Sequence, residues 1–205
     1  MKVDALLVDA GTGNLHSVYN ALQAAGFSIQ ITSHPDDLAA AGRVILPGVG
    51  AFASFMGGLR EHELVEPLKK LVLRGNPLLG ICVGMQALFE MSEEKGLHAG
   101  LGLLSGQVKH FPPLDEYKVP HTGWNQLWPA AGMPLLDGIQ AGSYAYFNHT
   151  YFCLPSDCAQ ICSTTDYGMQ FVSAVCHDNL YGVQFHPEKS QQVGQRLLQN
   201  FMKIS

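Results

Sequence analysis

Charged residues are scarce in this 205-residue sequence, where Asp, Glu, Lys and Arg together make up 14% of positions. The 12 basic residues are scattered and the net charge is −5, so neither nucleic acid nor an anionic membrane is indicated as a partner. The sequence also lacks an apolar run near the ~20 residues of a membrane-spanning helix. Asp4 interrupts the N-terminal apolar run, and no small-residue cleavage site follows it, so a first strand is predicted there rather than a signal peptide.

Cysteine is also sparse, and its number is odd. The five cysteines are Cys82, Cys153, Cys158, Cys162 and Cys176. A chain of this length can build a core without disulfides, so we expect reduced thiols and a cytoplasmic location. Cys158 and Cys162 lack the paired short knuckles of structural zinc sites, and we expect neither a metal site nor a cofactor.

Hydrophobic residues are plentiful, at 47%, which suits a single domain over residues 1–205 with a substantial core. In the first half, short apolar runs alternate with helical periodicities. This alternation predicts a doubly wound, mostly parallel α/β sheet flanked by helices. The predicted strands cover 5–8, 27–32 and 44–46, and the predicted helices cover 15–25 and 52–74, the second interrupted at Gly57-Gly58, with Pro67 at a helix boundary or in a first turn.

The second half of the sequence has a different pattern. Short alternating segments separated by turn signals predict an antiparallel or mixed extension of the sheet. These segments cover 103–111, 119–127, 144–152, 159–164, 171–177 and 180–185, and a final helix is predicted over 191–203.

The most informative stretch is Gly80-Ile81-Cys82-Val83-Gly84, which follows an apolar run and precedes a helical pattern. It has the form of a nucleophile elbow, in which a tight strand-to-helix turn presents the nucleophile, here a thiol. The glycines permit the tight turn, and a helix N-terminus beside Cys82 favours the thiolate. The alternative is a buried apolar cysteine at the end of a core strand.

His186 and Glu188 follow the strand-like run 180–185 and flank Pro187. Residues i and i+2 of an extended chain project to the same side, and proline favours a strand end. A carboxylate can orient an imidazole, and the imidazole can activate a cysteine, so Cys82, His186 and Glu188 are a candidate catalytic triad. The alternatives are a capping His with a solvated Glu, and a His/Glu metal pair without an evident third ligand.

A second glycine-rich stretch, Pro47-Gly48-Val49-Gly50, follows the predicted strand at 44–46. Glycine permits the dihedrals with which backbone N–H groups can face an oxyanion. We expect Gly50 and Val83, the residue after the nucleophile, to donate these N–H groups. An ordinary Pro-Gly turn is the alternative.

The motifs around Cys82 and His186, Gly80-Ile81-Cys82-Val83-Gly84-Met85-Gln86 and Phe185-His186-Pro187-Glu188, resemble those of the class I, triad-type glutamine amidotransferases. Further blocks narrow the resemblance to the glutaminase subunits of imidazole glycerol phosphate synthases, from about Val3 to the final helix. The sequence departs from that pattern at Thr122, Asn148 and Val83, where Met, Val and Leu are usual. The further blocks are Gly13-Asn14-Leu15, Leu46-Pro47-Gly48-Val49-Gly50, His121-Thr122-Gly123-Trp124-Asn125, Tyr146-Phe147-Asn148-His149-Thr150-Tyr151 and Gly182-Val183-Gln184-Phe185-His186-Pro187-Glu188-Lys189-Ser190.

The resemblance implies that this chain hydrolyses L-glutamine and passes ammonia to a separate (β/α)₈ cyclase subunit, HisF, in a heterodimer of histidine biosynthesis. Three of the residues to which the resemblance gives a role also have a purely structural interpretation: Gln86 and Lys189 as solvated side chains, and Trp124 as a core residue. The implied roles are catalysis by Cys82, His186 and Glu188, oxyanion binding by Gly50 and Val83, substrate binding by Gly48, Gln86, Thr150 and Tyr151, and partner contacts by Asn14, Trp124, Asn125, Tyr146 and Lys189.

Three other functions are compatible with parts of this pattern. They are a glutaminase serving another synthase, a stand-alone cysteine hydrolase of γ-glutamyl or peptide bonds, and a catalytically silent binding subunit. The co-purifying synthase, partner-free turnover and labelling by a glutamine-analogue electrophile would separate them. We also expect the isolated chain to be a poor glutaminase, because the glycine-rich segment 48–50 can adopt more than one backbone state.

Overall fold

The computed structural model describes residues 3–12, 14–113 and 117–204, so Gly13 of the Gly13-Asn14-Leu15 block lies outside the described residues. None of the helices in these ranges is both long enough and apolar enough to cross a membrane. The strands are β1 (Ala5–Val8), β2 (Ile29–Thr32), β3 (Val44–Gly48), β4 (Leu78–Cys82), β5 (Phe89–Ser92), β6 (His98–Ala99), β7 (Leu104–His110), β8 (His121–Pro129), β9 (Ser143–His149), β10 (Tyr151–Pro155), β11 (Ile161–Asp166), β12 (Gln170–His177) and β13 (Leu180–Val183). The α-helices are α1 (Leu15–Ala24), α2 (Pro35–Ala39), α3 (Phe52–Glu61), α4 (Val65–Leu73), α5 (Val83–Ala87) and α6 (Gln191–Lys203).

Five strands run parallel to one another, in the order β2–β1–β3–β4–β13. Strands β1, β3, β4 and β13 are buried at every position, which is typical of a parallel sheet covered on both faces. The segments that follow β3, β4 and β13 meet at one edge of the sheet, because these three strands are neighbours. The predicted α/β class is confirmed.

The antiparallel extension begins at β12, which pairs with β13. From β12 the sheet continues through β10, β7, β5 and β6, and a branch runs through β11 and β8 to β9. Buried and exposed positions alternate along β7 and β9, as in strands that have one face on a core. Since β5 and β7 are parallel, the extension is mixed, as predicted.

The helical region over 52–74 breaks at a different place from the predicted one. Helix α3 continues through Gly57 and Gly58, and α4 begins at Val65. A Cβ atom on Gly58 would lie 1.8 Å from the carbonyl oxygen of Ala10, so this glycine serves close packing and does not end the helix. Pro67 lies in the first turn of α4, where proline is tolerated.

The segment predicted as one strand over 144–152 consists of two strands with different neighbours. Strand β9 ends at His149 and pairs with β8, whereas β10 begins at Tyr151 and pairs with β7 and β12. Thr150 is the single residue between them. The change of partner brings the end of β9 and the start of β10 beside the edge at which β4 ends.

The expectation that all five cysteines are reduced is wrong for two of them. Cys162 on β11 and Cys176 on β12 form a disulfide, with their Cα atoms 5.8 Å apart. The two strands are antiparallel neighbours, which brings the Cα atoms within the usual disulfide range. Cys82 and Cys153 are free and buried, and Cys158 is free and exposed.

Candidate active site

Cys82 is the last residue of β4 and stands immediately before α5. Its φ of 54° and ψ of −111° lie in a region that residues with side chains rarely occupy. A Cβ atom on Gly84 would lie 1.8 Å from the carbonyl oxygen of Leu46, so only glycine allows α5 to start this close to β3. Cys82 therefore has the strand–turn–helix geometry of a nucleophile elbow.

The side chains of His186 and Glu188 are hydrogen-bonded to each other, and His186 lines the same cavity as Cys82. His186 Nδ1 lies 2.9 Å from Glu188 Oε1, and these two side chains are 4% and 1% exposed. Burial lowers the pKa of His186, but hydrogen bonds with Cys82 and Glu188 outweigh burial and raise this pKa to about 10. The imidazole is therefore charged at neutral pH, and an imidazolium beside the sulfur favours the reactive thiolate.

Ser190 holds the segment that carries His186 against β9. Its Oγ donates a hydrogen bond to the His186 carbonyl at 2.7 Å and accepts one from the Tyr146 N–H at 2.9 Å. The His186 N–H donates to the Tyr146 carbonyl at 2.9 Å. Sequence reasoning assigned no role to Ser190, because its role depends on β9 lying next to this turn.

A cavity of about 420 Å³ opens over the sulfur of Cys82, within the ~300–1,000 Å³ range of small-molecule sites. Most of the predicted catalytic, oxyanion and substrate residues line this cavity. Glu188 lies behind His186, away from the lining. The lining residues are Asn14, Val49, Gly50, Cys82, Val83, Gln86, Glu94, Pro120, Asn148, His149, Thr150, Tyr151, His186 and Lys189.

The two predicted oxyanion residues line the cavity together with Cys82. Gly50 follows β3 with a φ of 87°, and Val83 is the first residue of α5. Gly48 lies directly beside Cys82 in the β3–β4 register. A Cβ atom on Gly48 would lie 2.7 Å from the ring of Phe55, so this glycine makes room for packing below the cavity. Its role in substrate binding stays a prediction.

Gln86 is a buried residue and not the solvated one that was the alternative. Its Nε2 donates to the Tyr151 carbonyl at 3.1 Å and to Gln184 Oε1 at 3.2 Å. Gln184 is fully buried, and its Nε2 lies 3.7 Å from Cys82 Sγ. The two glutamines therefore connect the nucleophile to the backbone at the start of β10.

Comparisons with known proteins identify the family of this chain. The family model described as "Glutamine amidotransferase class-I" matches residues 6–204. Imidazole glycerol phosphate synthase subunit HisH of Dehalococcoides mccartyi (strain CBDB1) is 49% identical over 199 residues, which are 97% of this chain and 96% of that one. The chain belongs to the HisH family of class I glutamine amidotransferases. The family predicted from the motifs is confirmed.

A second relative and a solved structure are consistent with this family. The HisH subunit of Rhodopirellula baltica (strain DSM 10527 / NCIMB 13988 / SH1) is 48% identical over 95% of each chain. PurLQS from Thermotoga maritima matches this chain with a TM-score of 0.77 and 20% identity, over 98% of each chain. At that identity the likeness bears on the fold alone, and it supports the sheet described above.

Glu94 is a lining residue that sequence reasoning missed. It follows β5, a strand that the apolar pattern did not predict, and its Oε2 accepts a hydrogen bond from the Phe52 N–H at 2.7 Å. A carboxylate at the wall of a cavity can bind the ammonium group of an amino acid. The sequence carries no spacing signal for this residue, because its place depends on the turn after β5.

Three residues predicted to contact a partner lie side by side: Trp124 and Lys189 are exposed, and Tyr146 between them is half-buried. Lys189 Nζ lies 5.5 Å from the ring centroid of Tyr146, and the rings of Tyr146 and Trp124 are 6.0 Å apart. Trp124 is 47% exposed, so the alternative of a core tryptophan does not hold. Asn14 lines the cavity next to this group, while the amide of Asn125 is used inside the fold. Their partner contacts stay predictions.

Two of the three departures from the family pattern touch each other. Thr122 on β8 lies opposite Asn148 on β9, and Thr122 Oγ1 donates to Asn148 Oδ1 at 3.1 Å. Both residues are exposed, and Asn148 lines the cavity. Since Met and Val are usual at these positions, one cross-strand polar pair stands where the family has an apolar pair.

Proposed function

We propose that this chain is the glutaminase subunit of an imidazole glycerol phosphate synthase and hydrolyses L-glutamine to glutamate and ammonia. The observation that carries the proposal is the buried, charged His186 between Cys82 and Glu188, on an elbow below a cavity of suitable size. Residues 1–205 act as one glutaminase domain in this proposal.

The reaction uses the sulfur of Cys82 as nucleophile. The charged His186 already holds the proton of Cys82, and the thiolate attacks the side-chain amide carbon of glutamine. The N–H groups of Gly50 and Val83 bind the oxyanion of the tetrahedral intermediate, and such a donor is worth roughly 2.7–4 kcal/mol in kcat. His186 then gives its proton to the amide nitrogen, the carbon–nitrogen bond breaks to release ammonia, and a γ-glutamyl thioester remains on Cys82.

Water completes the turnover. His186 accepts a proton from the water that attacks the thioester, and the Cys82–carbon bond breaks to release glutamate. Glu188 keeps the imidazole oriented and stabilises its charged form. The glutamine amino-acid end is bound by Gln86 and the backbone of Thr150–Tyr151, and its ammonium group pairs with Glu94.

The product ammonia passes to a (β/α)₈ cyclase subunit, HisF, bound as the second half of a heterodimer. The cyclase uses it to make imidazole glycerol phosphate and aminoimidazole carboxamide ribotide in cytoplasmic histidine biosynthesis. The neighbouring side chains of Trp124, Tyr146 and Lys189 support this side as the partner face, because aromatic and cationic side chains are frequent interface anchors.

Glutamate and ammonia release should be measured for the full chain, alone and with the cyclase and its nucleotide ligand. We expect slow turnover alone and faster turnover in the complex. Cys82→Ala should abolish glutamine hydrolysis but keep ammonia-dependent cyclase activity, and Cys158→Ala, at an exposed free cysteine, should keep both. Full turnover by the chain alone that the cyclase leaves unchanged would instead indicate a stand-alone hydrolase.

A further inference from the structure

A continuous row of polar side chains runs from Asn125 on β8 to the cavity. Asn125 Nδ2 lies 3.3 Å from His121 Nε2, and His121 Nδ1 lies 3.0 Å from His149 Nε2. His149 Nδ1 lies 2.8 Å from the Tyr151 carbonyl oxygen, which also accepts the Gln86 amide. The reaction proposed above uses neither histidine, and both are buried.

The outer end of the row fixes the proton position on His121. Asn125 Oδ1 accepts from the Gln126 N–H at 2.8 Å, and its Nδ2 donates to the Asp166 carbonyl at 2.7 Å. The amide cannot be flipped without losing both contacts, so it presents an N–H to His121 Nε2. This nitrogen must therefore be the unprotonated acceptor, which leaves the proton of a neutral His121 on Nδ1.

The contacts of His149, at the end of the row nearest the cavity, lead independently to the same tautomer. The Tyr151 carbonyl can only accept a hydrogen bond, so His149 Nδ1 carries the proton. A neutral His149 then accepts at Nε2, where His121 Nδ1–H donates. Both ends of the row thus require neutral histidines with the proton on Nδ1, and all the hydrogen bonds point from Asn125 towards the cavity.

The surroundings keep the two rings neutral. The His121 ring stacks on Tyr167 with centroids 3.9 Å apart, and the His149 ring lies 5.2 Å from Phe171 and 5.3 Å from Phe111. Burial lowers the pKa of His121 to about 4 and that of His149 to about 3, and the charge on His186 acts on His149 in the same direction.

We propose that His121 and His149 are positioning residues of the glutaminase site, fixed as neutral Nδ1–H tautomers that hold the Tyr151 carbonyl in place. The carbonyl anchors Gln86, and Gln86 holds Gln184 beside Cys82. The backbone held in this way lines the cavity where the proposed function places the amino-acid end of glutamine. Loss of the row should therefore raise KM more than it lowers kcat. This inference rests on the proposed function.

Two substitutions of His149 distinguish a positioning role from a role in packing alone. In His149→Asn, the amide nitrogen takes the place of Nδ1 and can still donate to the Tyr151 carbonyl. In His149→Gln, the longer side chain reaches the place of Nε2 and can bond to His121, but it does not supply the Nδ1 donor. Because Gln is closer to His in size, a purely structural role would make His149→Gln the milder change.

The test is steady-state glutaminase kinetics of these variants of the full chain with its cyclase. We expect KM for glutamine to rise about tenfold in His149→Gln and less than about threefold in His149→Asn, because one hydrogen bond to a buried acceptor is lost only in the first. His34→Asn, at an exposed histidine, should match the wild type. An equal effect of the two changes, or a milder effect of His149→Gln, would overturn the proposal.

Nitrogen-15 spectra of the imidazoles test the tautomers without any activity. The ¹⁵N-labelled full chain should show two neutral histidines protonated at Nδ1, whose signals disappear in His121→Asn and His149→Asn respectively. An Nε2–H tautomer, or titration near pH 6.5, at either residue would overturn the inference even if the chain is an active glutaminase. A chain with correct tautomers but no glutaminase activity, alone or with the cyclase, would count against the proposed function and therefore against the positioning role.

Discussion

The parallel and antiparallel halves of the sheet place their polar groups in different ways. In the parallel half, β1, β3, β4 and β13 are apolar and buried throughout, and the reactive groups come at the strand ends or just after them. In the antiparallel half, Ser163, Thr165 and Ser173 are buried within strands. His121 and His149, the first residue of β8 and the last of β9, are buried side by side through the register of these two strands. The first arrangement follows from topology, whereas the second requires a particular strand register.

The two halves of the sheet therefore contribute different groups to the cavity. The parallel half supplies the nucleophile and its base, and the antiparallel half supplies the wall formed by His149, Thr150 and Tyr151. Changes in the first half should therefore reduce the rate of reaction, and changes in the second should weaken substrate binding. Each of the following predictions tests that division or the packing on which it depends.

The largest effect is expected for the base. His186→Asn removes the group that activates Cys82, so kcat for glutamine should fall by roughly 10⁶, as for the catalytic histidine of a triad hydrolase, with little change in KM. Steady-state kinetics of the complex would measure both constants, and ammonia-dependent cyclase activity is the control for intact assembly. A rise in KM like that expected for His149→Gln would contradict the division between the halves.

The next largest effect concerns the packing of the elbow. Gly84→Ala would place a Cβ atom 1.8 Å from the Leu46 carbonyl oxygen, and relief requires α5 to move away from β3. We expect a loss of about 3 kcal/mol in the free energy of unfolding, measured by urea denaturation. Gly57→Ala is the matched control, since a Cβ atom there meets nothing within 4 Å and alanine favours the interior of α3. Equal stability of Gly84→Ala and the wild type would show that the elbow can relax.

The same division explains how much could be predicted from the sequence. Cys82, His186 and Glu188 follow or end apolar runs, so the periodicity and the glycine and proline signals were sufficient to identify them as a candidate triad. The predicted parallel strands, the final helix and the mixed extension are present for that reason. The registers that pair His121 with His149, or bring Ser190 to Tyr146, are long-range and leave no local signal.

Other differences also have physical causes. Gly58 was predicted to interrupt a helix because glycine is a poor helix former, but its lack of a side chain serves contact with Ala10. The alternation of apolar and polar residues over 144–152 continues through Thr150, so no signal in the sequence indicated the change of strand partner there. Strand β6 has only two residues, and the four residues of β5 do not alternate between buried and exposed, so neither shows a strand pattern and Glu94 was missed with them.

The pH dependence of stability should differ in sign between the two halves. In the folded chain the pKa values of His121 and His149 are lowered to about 4 and about 3, whereas the unfolded chain takes up protons on both near pH 6.5. The unfolded state therefore binds more protons as pH falls from 7 to 5, and each histidine costs about 2 kcal/mol of stability over that range. His186, whose pKa is raised, acts in the opposite direction: its stabilising contribution is complete below pH 6.5 and is lost as pH rises towards 10.

Urea denaturation at pH 7 and pH 5 would measure this contribution. We expect the wild type to lose about 2 kcal/mol more than His149→Asn between these two values, because the variant lacks one of the two buried neutral rings. His34→Asn, at an exposed histidine, controls for the simple loss of a titrating group. The same loss in wild type and His149→Asn would mean that the ring is not held neutral in the antiparallel half.

The smallest effect is expected for the cross-strand pair Thr122 and Asn148, where the antiparallel register can be tested at the surface. Their hydrogen bond is exposed, so a double-mutant cycle with Thr122→Met and Asn148→Val should give a coupling energy of about 0.5 kcal/mol. Each single change leaves one polar group opposite an apolar one, whereas the double change restores an apolar cross-strand pair. Urea denaturation of the four proteins would measure the coupling. Strictly additive losses would show that the two positions are energetically independent despite being opposite each other.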